Sequence, residues 1–174
     1  MLNFIVIGTD HDLQKAAHID TGLRDLLTTI KAENDVVLVA EEVLIGEDNT
    51  FGRELFGASI WLSVDMTDEQ REDAGIFDTL RKGVPPDLGQ DGSYHPANGY
   101  QLHAQGVREH FWLDRVFENC RNRAVREGTV VVTCGANHAH FLSAKIAARG
   151  HFVAVRYYIP YDLEKKRGVF RVFP

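Results

Sequence analysis

No stretch of about 18 consecutive apolar residues occurs in this sequence, which excludes an ordinary membrane-spanning helix and, with it, a membrane partner. Cysteine is nearly absent. The two present, Cys120 and Cys134, lack CxxC spacing, so they make neither a disulfide framework nor a thiolate zinc site and read as reduced thiols of a cytoplasmic protein. An excess of positive charge is also missing. Nineteen Lys and Arg stand against 25 Asp and Glu, for a formal net charge of -6, which argues against nucleic acid as a partner. The basic run Lys165-Lys166-Arg167 reads as a solvated turn. Residues 1–8 lack the basic region and the small-residue cleavage site of a secretory leader and read as a strand. Proline is scarce, and Pro85, Pro86 and Pro96 concentrate what there is in one segment.

What is present alternates. Apolar, β-branched runs at 4–7, 36–40, 59–64, 130–132 and 152–158 are separated by segments with apolar residues at helical spacing. The first helical segment carries Leu13, Ala16, Ala17, Leu23, Leu26, Leu27 and Ile30, with Gly22 as a break point. Phe51 to Gly57 suggests a short helix, and Thr67 or Asp68 suits the N-cap of another running through Ile76 to Leu80. From Val107 a helix has Leu113, Val116, Phe117, Cys120 and Ala124 as its core stripe, with Arg108, Trp112, Arg115 and Asn119 on a different face. A last helix begins near His138, with Asn137 as its cap, and stops at Gly150. Strands alternating with helices predict a single α/β domain over residues 1–174: a mostly parallel sheet of about five strands flanked by helices, with 169–173 as a C-terminal edge strand. The Pro- and Gly-rich segment 83–106, which holds His95 and His103, reads as a long loop and a lid over the site.

The polar residues at strand ends carry the chemistry. In open α/β sheets the ligand crevice lies outside the carboxyl ends of the strands. His11 follows the first strand, Glu41 and Glu42 the second, Asp65 the third, and His138 the fourth. His11, Glu41, Glu42 and His138 together suit a divalent ion (manganese, zinc, cobalt or iron) that polarises a carbonyl and acidifies a bound water. The same residues suit metal-free chemistry as well, in which a histidine paired with a glutamate activates the water directly. Arg108 or Arg115 would meet a substrate carboxylate or a developing oxyanion. A phosphohydrolase built on Asp10 and Asp65 ranks lower, since no GxxxxGK[ST] phosphate loop occurs.

Four short motifs, in order, resemble those of the TraB/Tiki/ChaN/erythromycin-esterase group. They are Gly8-Thr9-Asp10-His11, Ala40-Glu41-Glu42, Arg108-Glu109 with Trp112, and Gly135-Ala136-Asn137-His138, which together span most of the chain. The resemblance implies an α/β hydrolase-like domain distinct from the serine hydrolases, whose members include a metal-dependent protease, an esterase using a histidine-activated water, and proteins of unresolved activity. Two residues depart from the pattern. Glu109 follows Arg108, and Trp112 stands where a smaller apolar residue is expected.

The expectation is a hydrolase of an ester or amide bond in a small-molecule or peptide substrate, divalent-metal-assisted or using a histidine-activated water, with His11, Glu41, Glu42, Arg108 and His138 as catalytic residues. The alternative is a non-catalytic protein that binds a small ligand or partner in the same crevice. The aromatic residues near the carboxyl end, among them Phe152, Tyr157 and Phe173, raise pairing of a strand edge and hence an oligomer.

Overall fold

A computed structural model describes residues 1–19, 21–76 and 99–159. Five parallel strands, β1 (Leu2–Thr9), β2 (Val36–Glu41), β3 (Trp61–Ser63), β4 (Gly128–Gly135) and β5 (Phe152–Tyr158), form one sheet in the order β3-β2-β4-β1-β5. The α/β architecture read from the alternating pattern is therefore the one the chain adopts. The helices are α1 (Gly22–Glu33), α2 (Phe51–Phe56), α3 (Asp68–Asp73), α4 (Gly99–Asn122) and α5 (Ala136–Ala148). Among the described residues no helix is long and apolar enough to cross a membrane.

The central strands β1 and β4 are buried on both faces, which is why they read as unbroken apolar runs. On one face Ile5, Ile7, Val39 and Val131 pack with Leu23, Leu27 and Ile30 of α1 and Phe51 of α2. On the other, Phe4, Val6, Val130 and Val132 pack with Trp112, Leu113 and Val116 of α4 and Leu142 and Ile146 of α5. The chain leaves β1 toward the α1 face and leaves β4 toward the α5 face, although β1 and β4 are neighbours in register, Gly8 opposite Cys134 and Thr9 opposite Gly135. Two adjacent strands whose connections depart to opposite faces open a crevice between their carboxyl ends. That crevice positions the site.

Several boundaries differ from those read in the sequence. β3 is shorter than the run 59–64, and α3 ends at Asp73 rather than running through Ile76, while residues 77–80 lie outside the described residues. Residues 99–106 belong to α4, so the helix starts two turns before Val107 and the lid read over 83–106 loses its last eight residues. Its glycines at 99 and 106 suggest a loop, but the intervening Gln, Leu, His and Ala are adequate helix formers with no proline among them. Residues 83–98, with His95, and the edge strand read at 169–173 lie outside the described residues. Trp112, placed by spacing on the polar face of α4, is 1% exposed and part of the core, while Ala124, expected in the core stripe, is exposed beyond the helix end. Asn137 lies inside α5 rather than at its cap, because Gly135 holds the extended conformation (φ -55, ψ 140) from which Ala136 starts the helix. Gly22, as the spacing suggested, divides the first helical segment: residues 11–14 form a 3-10 turn and α1 begins at Gly22 itself. Thr67 caps α3 through a reciprocal capping box with Gln70. Cys120 and Cys134 are both free and buried.

The start of β4 depends on Gly128, whose φ of +109 is a conformation that side chains resist, and where a Cβ would lie 2.5 Å from Val37 Cγ1 and 3.2 Å from the Asp35 carbonyl oxygen. Gly128→Ala is expected to cost about 1–3 kcal/mol, read as a lower urea midpoint at unchanged slope; an unchanged midpoint would show that this turn relaxes freely.

Candidate active site

Both Gly-x-x-His motifs meet in the crevice. Asp10 caps the 3-10 turn His11–Gln14, its Oδ1 accepting the Asp12 N–H at 3.3 Å, and His138 is the third residue of α5. The glycines permit close approach. A Cβ on Gly8 would come within 2.7 Å of the Tyr157 ring and 2.9 Å of Ala139 Cβ, so this glycine lets α5 and β5 close on β1. A Cβ on Gly135 would stand 3.0 Å from His11 Nε2 and 3.4 Å from Glu42 Oε2, so this one lets the histidine and the acid reach each other over the backbone.

Glu42 is the hub. It lies one residue past the end of β2 and is 3% exposed. Its Oε1 accepts from Arg108 Nη2 at 2.6 Å and its Oε2 from the Gly135 N–H at 2.7 Å. The Nε2 atoms of His11 and His138 lie 3.7 Å and 3.8 Å from the same Oε1. A buried carboxylate keeps its charge only when donors replace the lost water, and here a guanidinium and a backbone amide do so. Arg108 is itself held on two sides, with Nε and Nη2 donating to Asp65 Oδ1 at 3.2 Å and 2.9 Å, and it lies over the Trp112 ring at 5.0 Å. Burial draws the Arg108 pKa down, but Glu42 and Asp65 outweigh it and raise it further above its ordinary value. Asp65 shows the converse. Burial pushes it up, and the charges and hydrogen bonds of Arg108, with Arg71 and the Met66 N–H, hold it below the usual range. Beneath the cluster the Cys134 thiol is pushed well above its ordinary value by burial and by the charges of Glu42 and Glu109, which makes it a poor nucleophile.

His138 has a second acid behind it. Its Nδ1 is 2.9 Å from Glu109 Oε1, while Glu109 Oε2 accepts from Lys145. Burial raises Glu109, but hydrogen bonds from His138 and Lys145, and their charges, leave its carboxyl below the ordinary range and therefore ionised at neutral pH. A carboxylate at Nδ1 sets the tautomer. An ionised carboxylate accepts only from a protonated nitrogen, so this contact favours a proton on Nδ1 and leaves Nε2 toward the crevice. Trp112 packs edge-on against the same imidazole at 4.8 Å, and its Nε1–H donates to Asp65 at 3.3 Å. The two residues that depart from the resemblance thus both contact the cluster. Glu109 and Trp112 were missed as site residues in the sequence; their signal was a glutamate and a tryptophan one and four positions after Arg108, on faces of one helix that reach the crevice together.

Of the residues expected at the site, the structure brings together His11, Glu42, Arg108, His138 and Asp65. Glu41 is not among them. Consecutive strand residues point to opposite faces, so Glu41 is buried on the α2 side, where its Oε2 accepts from Thr50 and Trp61 and its carboxyl lies against Gly52. Arg115 lies over the Phe111 ring in a separate groove with Leu62 and Glu118, and His103 is exposed on α4. A divalent ion does not fit this donor set as arranged. Both oxygens of Glu42 already accept from protein donors, the guanidinium is a cation beside the oxygen that both imidazoles face, and among the described residues no three His, Cys, Asp or Glu side chains are disposed to hold an ion. Two hollows flank His11. A cleft of about 510 Å³ runs from His11, Glu42 and Arg108 past Asp65 to Lys15, Glu47 and Arg71. A recess of about 260 Å³ lies toward α5, between Thr9, His11, Asn137, His138 and Ile159.

Glu41 titrates against the fold. Burial pushes its carboxyl above the usual range despite hydrogen bonds from Thr50 and Trp61 and from the backbone amides of Gly52 and Arg53. An acid whose pKa is raised by folding contributes stability that is complete below its unfolded value, about 4.3, and is lost as pH rises through the folded one. Glu41→Gln stays neutral at every pH, and its melting temperature is expected to exceed that of the wild type by about 3–6 °C at pH 8 and to converge on it at pH 4 in calorimetric scans; an offset independent of pH would be the contrary result. Compared with models of protein families, with curated proteins and with solved structures, the chain shows no match in any of the three, and the resemblance to the TraB/Tiki group rests on the four motifs.

Proposed function

We propose that the protein hydrolyses an ester or amide bond with a water activated by His138. The observation that carries the reading is the hydrogen bond from His138 to the ionised Glu109, which turns Nε2 into the crevice beside His11. His138 Nε2 takes a proton from water as the water oxygen bonds to the carbonyl carbon, and Glu109 stabilises the imidazolium that results. The tetrahedral intermediate then collapses. The bond to the leaving oxygen or nitrogen breaks, and the proton passes from His138 to that atom, leaving an acid and an alcohol or amine. His11, with its side chain 59% exposed, lies 3.7 Å from the same Glu42 oxygen and orients the water or the leaving group. Arg108, committed to Glu42 and Asp65, holds Glu42 in place and so supports both histidines from behind. No step is assigned to a metal.

One observation favours the binding-protein alternative. Both Glu42 oxygens are occupied by protein donors, as in an acid that only braces a pocket.

A screen of p-nitrophenyl esters and aminoacyl anilides with the wild type, His138→Gln, His11→Asn and Glu109→Gln separates the two readings. Hydrolysis predicts a loss of about 10²–10⁴ in kcat/KM for His138→Gln and His11→Asn, with melting temperatures within a few degrees of the wild type. For Glu109→Gln it predicts a fall in kcat at nearly unchanged KM, and nitrogen-detected NMR should find the His138 proton no longer confined to Nδ1. Turnover retained in both histidine variants would sink the proposal.

A further inference from the structure

The two hollows that meet at His11 differ in size, polarity and backbone, and the difference bears on the substrate. The smaller recess is bounded by the start of α5. Its first-turn amides, those of Ala136, Asn137 and His138, have no intrahelical partner, and among the described residues no side chain caps them. Unpaired amides at the positive end of a 13-residue helix are suited to an oxygen that gains negative charge. The helix end does not stand alone. His138, only 5% exposed, lines the same recess, and its Nε2 makes no hydrogen bond among the described residues. The attacking water and the developing oxyanion would therefore share this recess, which places the acyl half of the substrate there.

We infer that the substrate is a short, uncharged acyl ester or amide of a larger polar alcohol or amine, with the acyl group in the recess beside Ile159 and the alcohol or amine in the cleft toward Lys15 and Arg71. The inference rests on the hydrolase reading and assigns which end goes where. Size sets the first preference. The recess, about 260 Å³ against about 510 Å³ for the cleft, suits the smaller half of the substrate. Chemistry sets the second. Among the described lining residues Ile159 is the only large aliphatic, beside Thr9, Asp10, Asn137 and the two histidines, so a long alkyl chain finds little apolar surface to cover there. Asp10, its carboxylate exposed at the recess and its hydrogen bond coming from a neutral amide, sets a negative charge against an anionic acyl group. The cleft is about twice as large and mixes apolar walls, Ala17, Val43 and Leu44, with Lys15, Glu47, Asn49 and Arg71, the surroundings of a bulky polar group.

Alkyl trifluoromethyl ketones test the assignment without turnover, because their hydrates mimic the adduct of water and a carbonyl. A methyl-to-nonyl series is titrated into the full chain and followed by fluorine line broadening and amide shifts. The amides of Ala136 and Asn137 are expected to move, and affinity to rise to about the propyl ketone and then level off, where an open apolar channel would gain about fourfold for every methylene added. Ile159→Ala should move the levelling point to a longer chain. Ala136→Pro removes one amide while suiting the first turn of a helix, and the conformation of Gly135 suits a residue before proline; it should weaken the propyl ketone about tenfold with α5 intact. Affinity that climbs steadily to the nonyl ketone, or shifts that avoid Ala136 and Asn137, would overturn the assignment. Ketone binding at these amides with no ester or anilide turned over would uphold the short-acyl recess and count against hydrolysis alone.

Discussion

One buried carboxylate organises the upper edge of the sheet. Glu42 reaches from the end of β2 to a backbone amide at the end of β4, to the guanidinium of Arg108 on α4, and to within 4 Å of a histidine from each Gly-x-x-His turn. An ionised group so deep is tolerable only because its oxygens are met by a cation and an N–H. The elements that supply these donors are thereby tied to one another. Removing Arg108 would leave an uncompensated buried charge, and a side chain at Gly135 would press on both His11 and Glu42.

The electrostatics divide into two linked chains that share Trp112. Arg71, Asp65, Arg108 and Glu42 alternate in sign and run along the wall of the larger cleft. Lys145, Glu109 and His138 run behind the smaller recess. Arg108 and Glu109 are successive residues of α4, and successive helical side chains diverge by about 100°, so one serves each chain. Trp112 fills the space between, taking the guanidinium on its ring, the His138 imidazole at its edge and an Asp65 oxygen at its N–H. Within this frame His138 is the buried histidine, with Glu109 at its Nδ1 and Glu42 3.8 Å from its Nε2, whereas His11, more exposed, borders both hollows. This asymmetry sets the two histidines in different surroundings despite their matching motifs.

Much of the fold was legible along the chain because its signals are local. Val130 to Val132 read as a buried strand because their neighbours in β1 and β2 and the helices on both faces leave no room for a polar residue. Thr67 announced α3 through a cap that needs only Gln70, three residues on. The extent of α4 was less legible. Gly99 and Gly106 mark a loop by composition, yet tertiary packing of a 24-residue helix overrides two weak positions. The place of Trp112 was misjudged for a related reason: its spacing matches Arg108, and a helical wheel does not show that a guanidinium and an indole on one stripe can stack inward together.

The sequence by itself determined the alternation of strands and helices, and with it the rule that residues following the strands gather at one edge; His11, Glu42, Asp65 and His138 were candidates on that ground alone. It could not decide between Glu41 and Glu42, because either acid is local to the strand end, and which one faces the crevice depends on where β2 stops and on which face each helix covers. The tertiary structure settled this, turning Glu41 toward Thr50 and Trp61 and Glu42 toward Arg108. It alone also joined Glu109 to His138 across 29 positions of sequence. Such a pairing is made by the packing of α4 on α5, and no periodicity within either helix encodes the distance between them.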